Sequence, residues 1–264
     1  MSLAGALVCA CLAVPVSAVA DTYVLSDLNS EVRIDPASDA GMYSWTVDGV
    51  EHLGRQWFWL RVGSQGPEMP LNLLGAPTVT ATPWALEARY QTATVAVMVR
   101  YMLTGGLEGS LTADVAESIR ISNLGTTSLD MHFFQYSDFN LEGTAEDDAI
   151  WLAGADHNTV RQRGVGTIFS EVVVTPPPSH YEVGSAADLL ASLMDGSPTT
   201  AGDLGGPYAG DIGWVFQWDA VIAPGRSLII SKDKLIDPVP EPLTVVTMGL
   251  AVASVAARLR RRLA

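Results

Sequence analysis

Short β-prone runs, each closed by turn residues, recur through the middle of this 264-residue chain, a rhythm that sheets accommodate and helices do not. Runs at 42–47, 57–62, 84–90, 94–103, 118–122, 129–139, 166–174, 212–221 and 227–231 carry most of the β-branched and aromatic residues. Turns separate them at Asp48-Gly49, Gly105-Gly106, Asn123-Leu124-Gly125 and Ala223-Pro224-Gly225. In 94–103, Val95, Val97, Val99 and Tyr101 fall on one face and Ala96, Met98 and Arg100 on the other. Both faces are largely apolar, which predicts a central strand covered on both sides. One helix breaks the pattern: Ser185-Ala186-Ala187-Asp188 reads as a capping box with Asp in place of Glu, and Leu189, Leu190, Leu193 and Met194 share a face. Gly196 and Pro198 stop it, and the Gly-, Pro-, Thr- and Asp-rich stretch 197–210 is expected as a mobile surface loop. The expected fold class is all-β, an antiparallel β-sandwich with one short helix.

The two ends read differently. An apolar stretch at 3–16, followed by Ser17-Ala18-Val19-Ala20, has the length and the small-residue pattern of a signal peptide cut by signal peptidase between Ala20 and Asp21. Cys9 and Cys11 are the chain's two cysteines, so the mature protein would hold no disulfide, thiolate metal site or cysteine nucleophile. At the other end Val239-Pro240-Glu241-Pro242 is rigid and extended, 243–257 carries no charge, and Arg258, Arg260, Arg261 and Arg262 follow. Fifteen helical residues rise about 22 Å against a hydrocarbon core of roughly 30 Å, a marginal span that snorkelling arginines extend. This gives three expected segments: a signal peptide at 1–20, a sandwich domain at 21–238 and a tail with a membrane-anchor helix at 239–264. Four of the 15 basic and one of the 29 acidic residues lie in the tail, leaving 11 and 28, a net charge of about −17. Such a surface repels nucleic acid and anionic lipid.

Pro-Glu-Pro, a short apolar segment and a terminal arginine cluster, in that order, resemble the PEP-CTERM sorting signal of exported bacterial proteins. The resemblance covers 239–264 and implies a tail held transiently in the inner membrane until an exosortase cuts near Pro-Glu-Pro. It also implies association with exopolysaccharide or other biofilm-matrix components at the cell surface or outside it. A looser resemblance, over 119–141, is to β-sandwich domains of carbohydrate-related exported proteins, and supports only the sandwich.

Chemistry is harder to find. There is no G-x-S-x-G elbow, phosphate loop or dinucleotide fingerprint, and His52, His132, His157 and His180 lack metal-ligand spacing, so each is expected in a structural or surface role. Asp138, Asn140 and Glu142, ahead of Gly143, sit where a calcium loop places oxygen ligands, although Ala149 replaces the expected bidentate Glu and the competing reading is a solvated acidic loop. Trp214, Phe216 and Trp218 share one face of a strand, as do Trp57 and Trp59; exposed, the four tryptophans would stack on sugar rings, and buried, they are core. Acidic pairs around Asp138 and Glu142 are too numerous to single out a glycan-cleaving site. The expectation from sequence is therefore a non-enzymatic exported matrix or surface protein without a required cofactor, with a carbohydrate-binding module as the alternative and a glycan-active enzyme as the third reading.

Overall fold

The computed structural model describes residues 22–146 and 148–239. In chain order the strands are β1 (Tyr23–Asp27), β2 (Ser30–Asp35), β3 (Gly41–Val47), β4 (Val50–Glu51), β5 (Leu53–Val62), β6 (Met69–Pro70), β7 (Thr78–Ala81), β8 (Ala85–Gln91) and β9 (Val95–Gly105). They continue as β10 (Ala113–Asn123), β11 (Leu129–Phe139), β12 (Ala149–Ala153), β13 (Thr159–Arg163), β14 (Thr167–Thr175), β15 (His180–Ser185), β16 (Tyr208–Ala209), β17 (Ile212–Ile222) and β18 (Ser227–Pro238). The first sheet runs β1-β2-β3-β5-β11-β17-β15, with β4 beside β3 and β6 beside β5; the second runs β16-β12-β13-β14-β18-β10-β9-β8-β7. Among the described residues pairing is antiparallel except for a brief parallel contact of β3 with β5 and an isolated parallel bridge between Glu182 and Leu204.

The nine strands expected from sequence all appear, within a few residues of their limits except at the longer β10 and β18. The strands β1, β2, β7, β12, β13 and β15, at or near the sheet edges, were not legible, because short, partly exposed strands carry little apolar alternation. The run at 227–231 continues to Pro238 as β18, whose polar residues break the apolar pattern but not the ladder. In β9 the expectation of two covered faces is corrected: Val95, Val97, Val99 and Tyr101 are buried, whereas Arg100 and Met102 reach solvent. The helix α1 (Ala186–Met194) forms where expected, with the Ser185 hydroxyl accepting from the Asp188 amide at 3.4 Å.

Between the sheets, aromatic rings from β5, β11 and β17 meet aliphatic side chains from β9 and β10. Phe58 stacks on Phe133 at 5.6 Å, and Phe139 on Trp214 at 5.5 Å. Near the centre sit four charged side chains without solvent exposure, Glu117, Glu171, Lys232 and Lys234, together with Gln56 and Gln135. Lys232 stands opposite Glu117 in the β10–β18 ladder, and Lys234 opposite Glu171 in the β14–β18 ladder.

The expected signal peptide (1–20) and membrane-anchor helix (243–257) lie outside the described residues, as do Ala20, Asp21, Pro240, Glu241, Pro242, Arg258, Arg260, Arg261 and Arg262. Among the described residues no helix is long and apolar enough to cross a membrane.

Gly41, at the start of β3, is held close against β5. Its φ is +60°, and a Cβ there would stand 2.2 Å from Trp57 Cε3 and 2.5 Å from the Gln56 carbonyl oxygen. Gly41→Ala is expected to lower unfolding free energy by roughly 2–4 kcal/mol in a urea titration, combining a left-handed backbone with a steric collision.

Candidate functional site

Alternation along β5 builds the site. Gln56 and Phe58 point into the sandwich: the Gln56 amide donates to Glu117 Oε1 at 2.7 Å, and Lys232 Nζ lies 5.0 Å from the Phe58 ring centroid. Arg55, Trp57, Trp59 and Arg61 therefore project from the outer side of the first sheet. Each arginine there has a carboxylate: Arg55 lies 3.0 Å from Asp39 Oδ2, and Arg61 pairs with buried Glu68. An arginine on a covered face requires such a partner, so the Arg-x-Trp-x-Trp-x-Arg alternation was the available signal for acidic partners that sequence reading missed.

This outer side is roofed by the 3-10 turn Leu71–Leu74, by α1 and by the segment after α1. Tyr136 Oη donates to the Ala186 carbonyl at 3.0 Å, holding the helix start to β11. The segment 197–210 is not the loose loop expected. The Thr199 amide donates to Glu68 Oε1 at 2.7 Å, the Ala201 amide to Gln217 Oε1 at 2.9 Å, and the Gly202 amide to Glu182 Oε2 at 2.6 Å. Two histidines add to these ties. His180 Nδ1 lies 3.0 Å from Asp203 Oδ2, and His132 Nδ1 lies 2.7 Å from Asp219 Oδ1, while His180 Nε2 approaches Asp219 Oδ2 at 3.6 Å. His180 thus fastens the strap and His132 ties β11 to β17, structural roles of the kind expected from sequence.

Beneath that roof remains a cavity of about 470 Å³, lined by Asp39, Trp59, Glu68, Asn72, Leu193 and Met194 among others. Glu68 Oε1 is taken by Arg61 and Thr199, but its Oε2 is buried without a hydrogen-bond partner among the described residues, as is Trp59 Nε1. Asn72 Oδ1 accepts from Trp57 Nε1 at 3.3 Å, which orients the second indole. Glu68 and Trp59 thus both line the cavity, and each carries a buried polar atom, an acceptor in one and a donor in the other, without a hydrogen-bond partner among the described residues.

The tryptophans named from sequence are not surface platforms. Trp57, Trp59, Trp214 and Trp218 are each at most 2 % exposed. Trp214 and Trp218 face the interior, where their ring nitrogens donate to Glu171 Oε2 at 3.1 Å and to the Pro176 carbonyl at 3.0 Å. Only Trp59 borders the cavity. Nor do the proposed calcium ligands converge. Asp138 and the Asn140 amide flank Gly54, whereas Glu142, at φ +62°, turns away so that its Oε1 accepts the Gly166 amide at 2.6 Å. Among the described residues no group of three or more His, Cys, Asp or Glu is arranged to hold a metal ion. Val239, the first residue of the expected sorting motif, follows β18 and its amide donates to the Gly166 carbonyl at 2.8 Å.

No protein-family model matches the chain, and no curated protein does. Solved structures do. A protein assigned as an aldose 1-epimerase from Escherichia coli K12 superposes with a TM-score of 0.58 at 13 % identity, over 83 % of this chain and 99 % of that one. A galactose mutarotase-like protein from Lactobacillus casei gives 0.51 at 10 % identity, over 83 % and 100 %. A bacterial glucoamylase solved with acarbose gives 0.60 at 7 % identity, over 85 % of this chain but 34 % of the longer enzyme. At such identities the likeness is one of fold. It corrects the expectation of a non-enzymatic matrix protein to this extent: the chain shares its fold with a protein assigned as an aldose 1-epimerase and with part of a glucoamylase, and the short runs read from sequence could not distinguish this pair of nine-stranded sheets from a smaller binding sandwich.

On the same outer face, burial pushes the Asp138 carboxyl up to about 6; neighbouring Asp211 adds to the rise, and Arg55 opposes it. The folded state then retains a proton that the unfolded chain has released, so ionised Asp138 costs stability above about pH 6, and the cost disappears as pH falls below about 4. Asp138→Asn is expected to stabilise the protein by about 2 kcal/mol at neutral pH and by almost nothing near pH 4, read from denaturant midpoints at the two pH values.

Proposed function

We propose that the chain is a carbohydrate-active enzyme that binds a sugar in the cavity over Trp59 and performs acid–base chemistry at its ring. The observation that carries this reading is a cavity of about 470 Å³ lined by both Glu68 and Trp59, whose Oε2 and Nε1 are buried without a hydrogen-bond partner among the described residues. A sugar hydroxyl donates to the carboxylate and accepts from the indole, while apolar C–H faces rest against Leu193 and Met194. The fold, shared with a protein assigned as an aldose 1-epimerase, makes interconversion at the first sugar carbon the leading reaction.

That reaction requires a proton to leave the anomeric hydroxyl and another to reach the ring oxygen, so that the ring opens and recloses on either face. Glu68 is the proton acceptor: Arg61 and the Thr199 amide fix one oxygen and leave the other for the hydroxyl. Asp39 is the second carboxyl at the cavity, held by Arg55 at 3.0 Å and 41 % exposed, and solvent reaching this side delivers the proton to the ring oxygen and takes up the one that Glu68 has accepted. Two-dimensional exchange NMR on a panel of hexoses and pentoses tests the reading. The purified chain should accelerate interconversion of the anomers, and Glu68→Gln should reduce that acceleration by at least about 100-fold. Uncatalysed exchange rates across the panel would reject it.

We further propose that the signal at 1–20 exports the chain and that the tail at 239–264 sorts it through the inner membrane to an exosortase, which releases it at the surface or into the matrix. The support is the order of Pro-Glu-Pro, uncharged segment and arginine cluster. Replacing Glu241 with Ala is expected to leave the tail attached in an exosortase-bearing host, read as the mass of the protein recovered from the cell surface; unchanged processing would remove this reading.

A further inference from the structure

Gln135 and Lys232 reach across the sandwich from its two opposing sheets and meet in its interior. Lys232 Nζ donates to Gln135 Oε1, and the Gln135 amide nitrogen donates to Glu171 Oε1 and Oε2 at 2.8 and 2.9 Å and to Ser137 Oγ at 2.8 Å. On its other side Lys232 Nζ is 2.5 Å from Glu117 Oε2, and it is 3.3 Å from Glu171 Oε1. Trp214 Nε1 donates to Glu171 Oε2 at 3.1 Å, and Phe58 covers the amine. Gln135, Lys232, Glu117 and Glu171 have no solvent-exposed side-chain surface. An amine, a carboxamide and two carboxylates are thus gathered where water cannot compete as a nucleophile.

We propose that this cluster forms an intramolecular isopeptide bond between Lys232 and Gln135, tying β18 of the second sheet to β11 of the first. Glu117 takes one proton from the Lys232 ammonium, and the freed amine attacks Cδ of Gln135. Glu171, already bonded to the amide nitrogen, passes it a second Nζ proton; the Cδ–Nε2 bond breaks as the Nζ–Cδ bond forms, and ammonia leaves. One of the two carboxyls keeps the proton taken from the ammonium, so the charge balances without an oxidant or other co-reactant. Two buried ion pairs become one ion pair and one neutral acid. That reduces the number of charges held out of water, which favours the product.

The bond would serve as a covalent clamp between sheets in a chain whose two cysteines, Cys9 and Cys11, both lie ahead of the described domain. It is independent of the cavity over Trp59, because Gln135 and Lys232 face the interior and the cavity lies outside the first sheet.

Intact mass spectrometry of the purified full chain, with its termini established by sequencing, tests this directly. The expected mass is about 17 Da below that of the same residues uncoupled, with a tryptic product that joins the peptide of Gln135 to that of Lys232. Lys232→Arg and Glu171→Gln should each restore the full mass. The measurement on the unaltered chain decides the matter even if those variants do not fold. Full mass in the unaltered chain overturns the proposal. So does a loss of about 18 Da, which would place the link on a glutamate carboxyl with release of water.

Discussion

Two lysines and two glutamates in the middle of an aromatic core constrain this fold more tightly than any apolar contact. Burial works against the charge on each, and only their mutual proximity offsets it. Glu117 shows the balance: burial alone would raise its carboxyl, yet Lys232 and Lys234 outweigh that and hold it at about 2. Lys234 is pulled below the ordinary lysine value by burial, against the opposing pull of Glu117 and Glu171. Side chains alternate between faces with a period of two, so a slip of β18 by one residue would send both lysines outward and leave both glutamates unpaired inside. An apolar core tolerates such errors by repacking, whereas this one penalises them.

The outer side of the first sheet obeys the same rule at smaller scale. Arg55 and Arg61 bracket two tryptophans, and each arginine fixes a carboxylate from another part of the chain: Asp39 from the β2–β3 connection and Glu68 from the segment before β6. The strap after α1 completes the enclosure, borrowing Glu68, Gln217, Glu182 and His180 as anchors. One oxygen of Glu68 is spent on this architecture and the other is not. A group that serves the scaffold with one atom and a cavity with the next is positioned rigidly, which ligand binding and proton transfer both require.

What could be read in the sequence was local. Strands such as β5, β11 and β17 announced themselves through apolar and aromatic runs, and α1 through its Ser185–Asp188 cap and its leucines. These signals depend on residues near one another in the chain, and local backbone geometry enforces them. The candidate site was illegible for the opposite reason. Asp39, Glu68 and Trp59 gain their roles only through folding, and acidic residues outside a motif look alike in a chain that contains 29 of them.

The sequence by itself determined the strand-and-turn rhythm, the position of α1 and the segments at either end that resemble sorting signals, since each is written in contiguous residues. Tertiary structure alone decided which face of each strand lies inside. Lys232 and Lys234 fall just past the run at 227–231 read from sequence, and they are the most buried charges of β18 because Glu117, Glu171 and Gln135 arrive from other strands to meet them. Burial belongs to a pairing of distant strands, and a charge goes inside only when those strands bring its counter-charge with them.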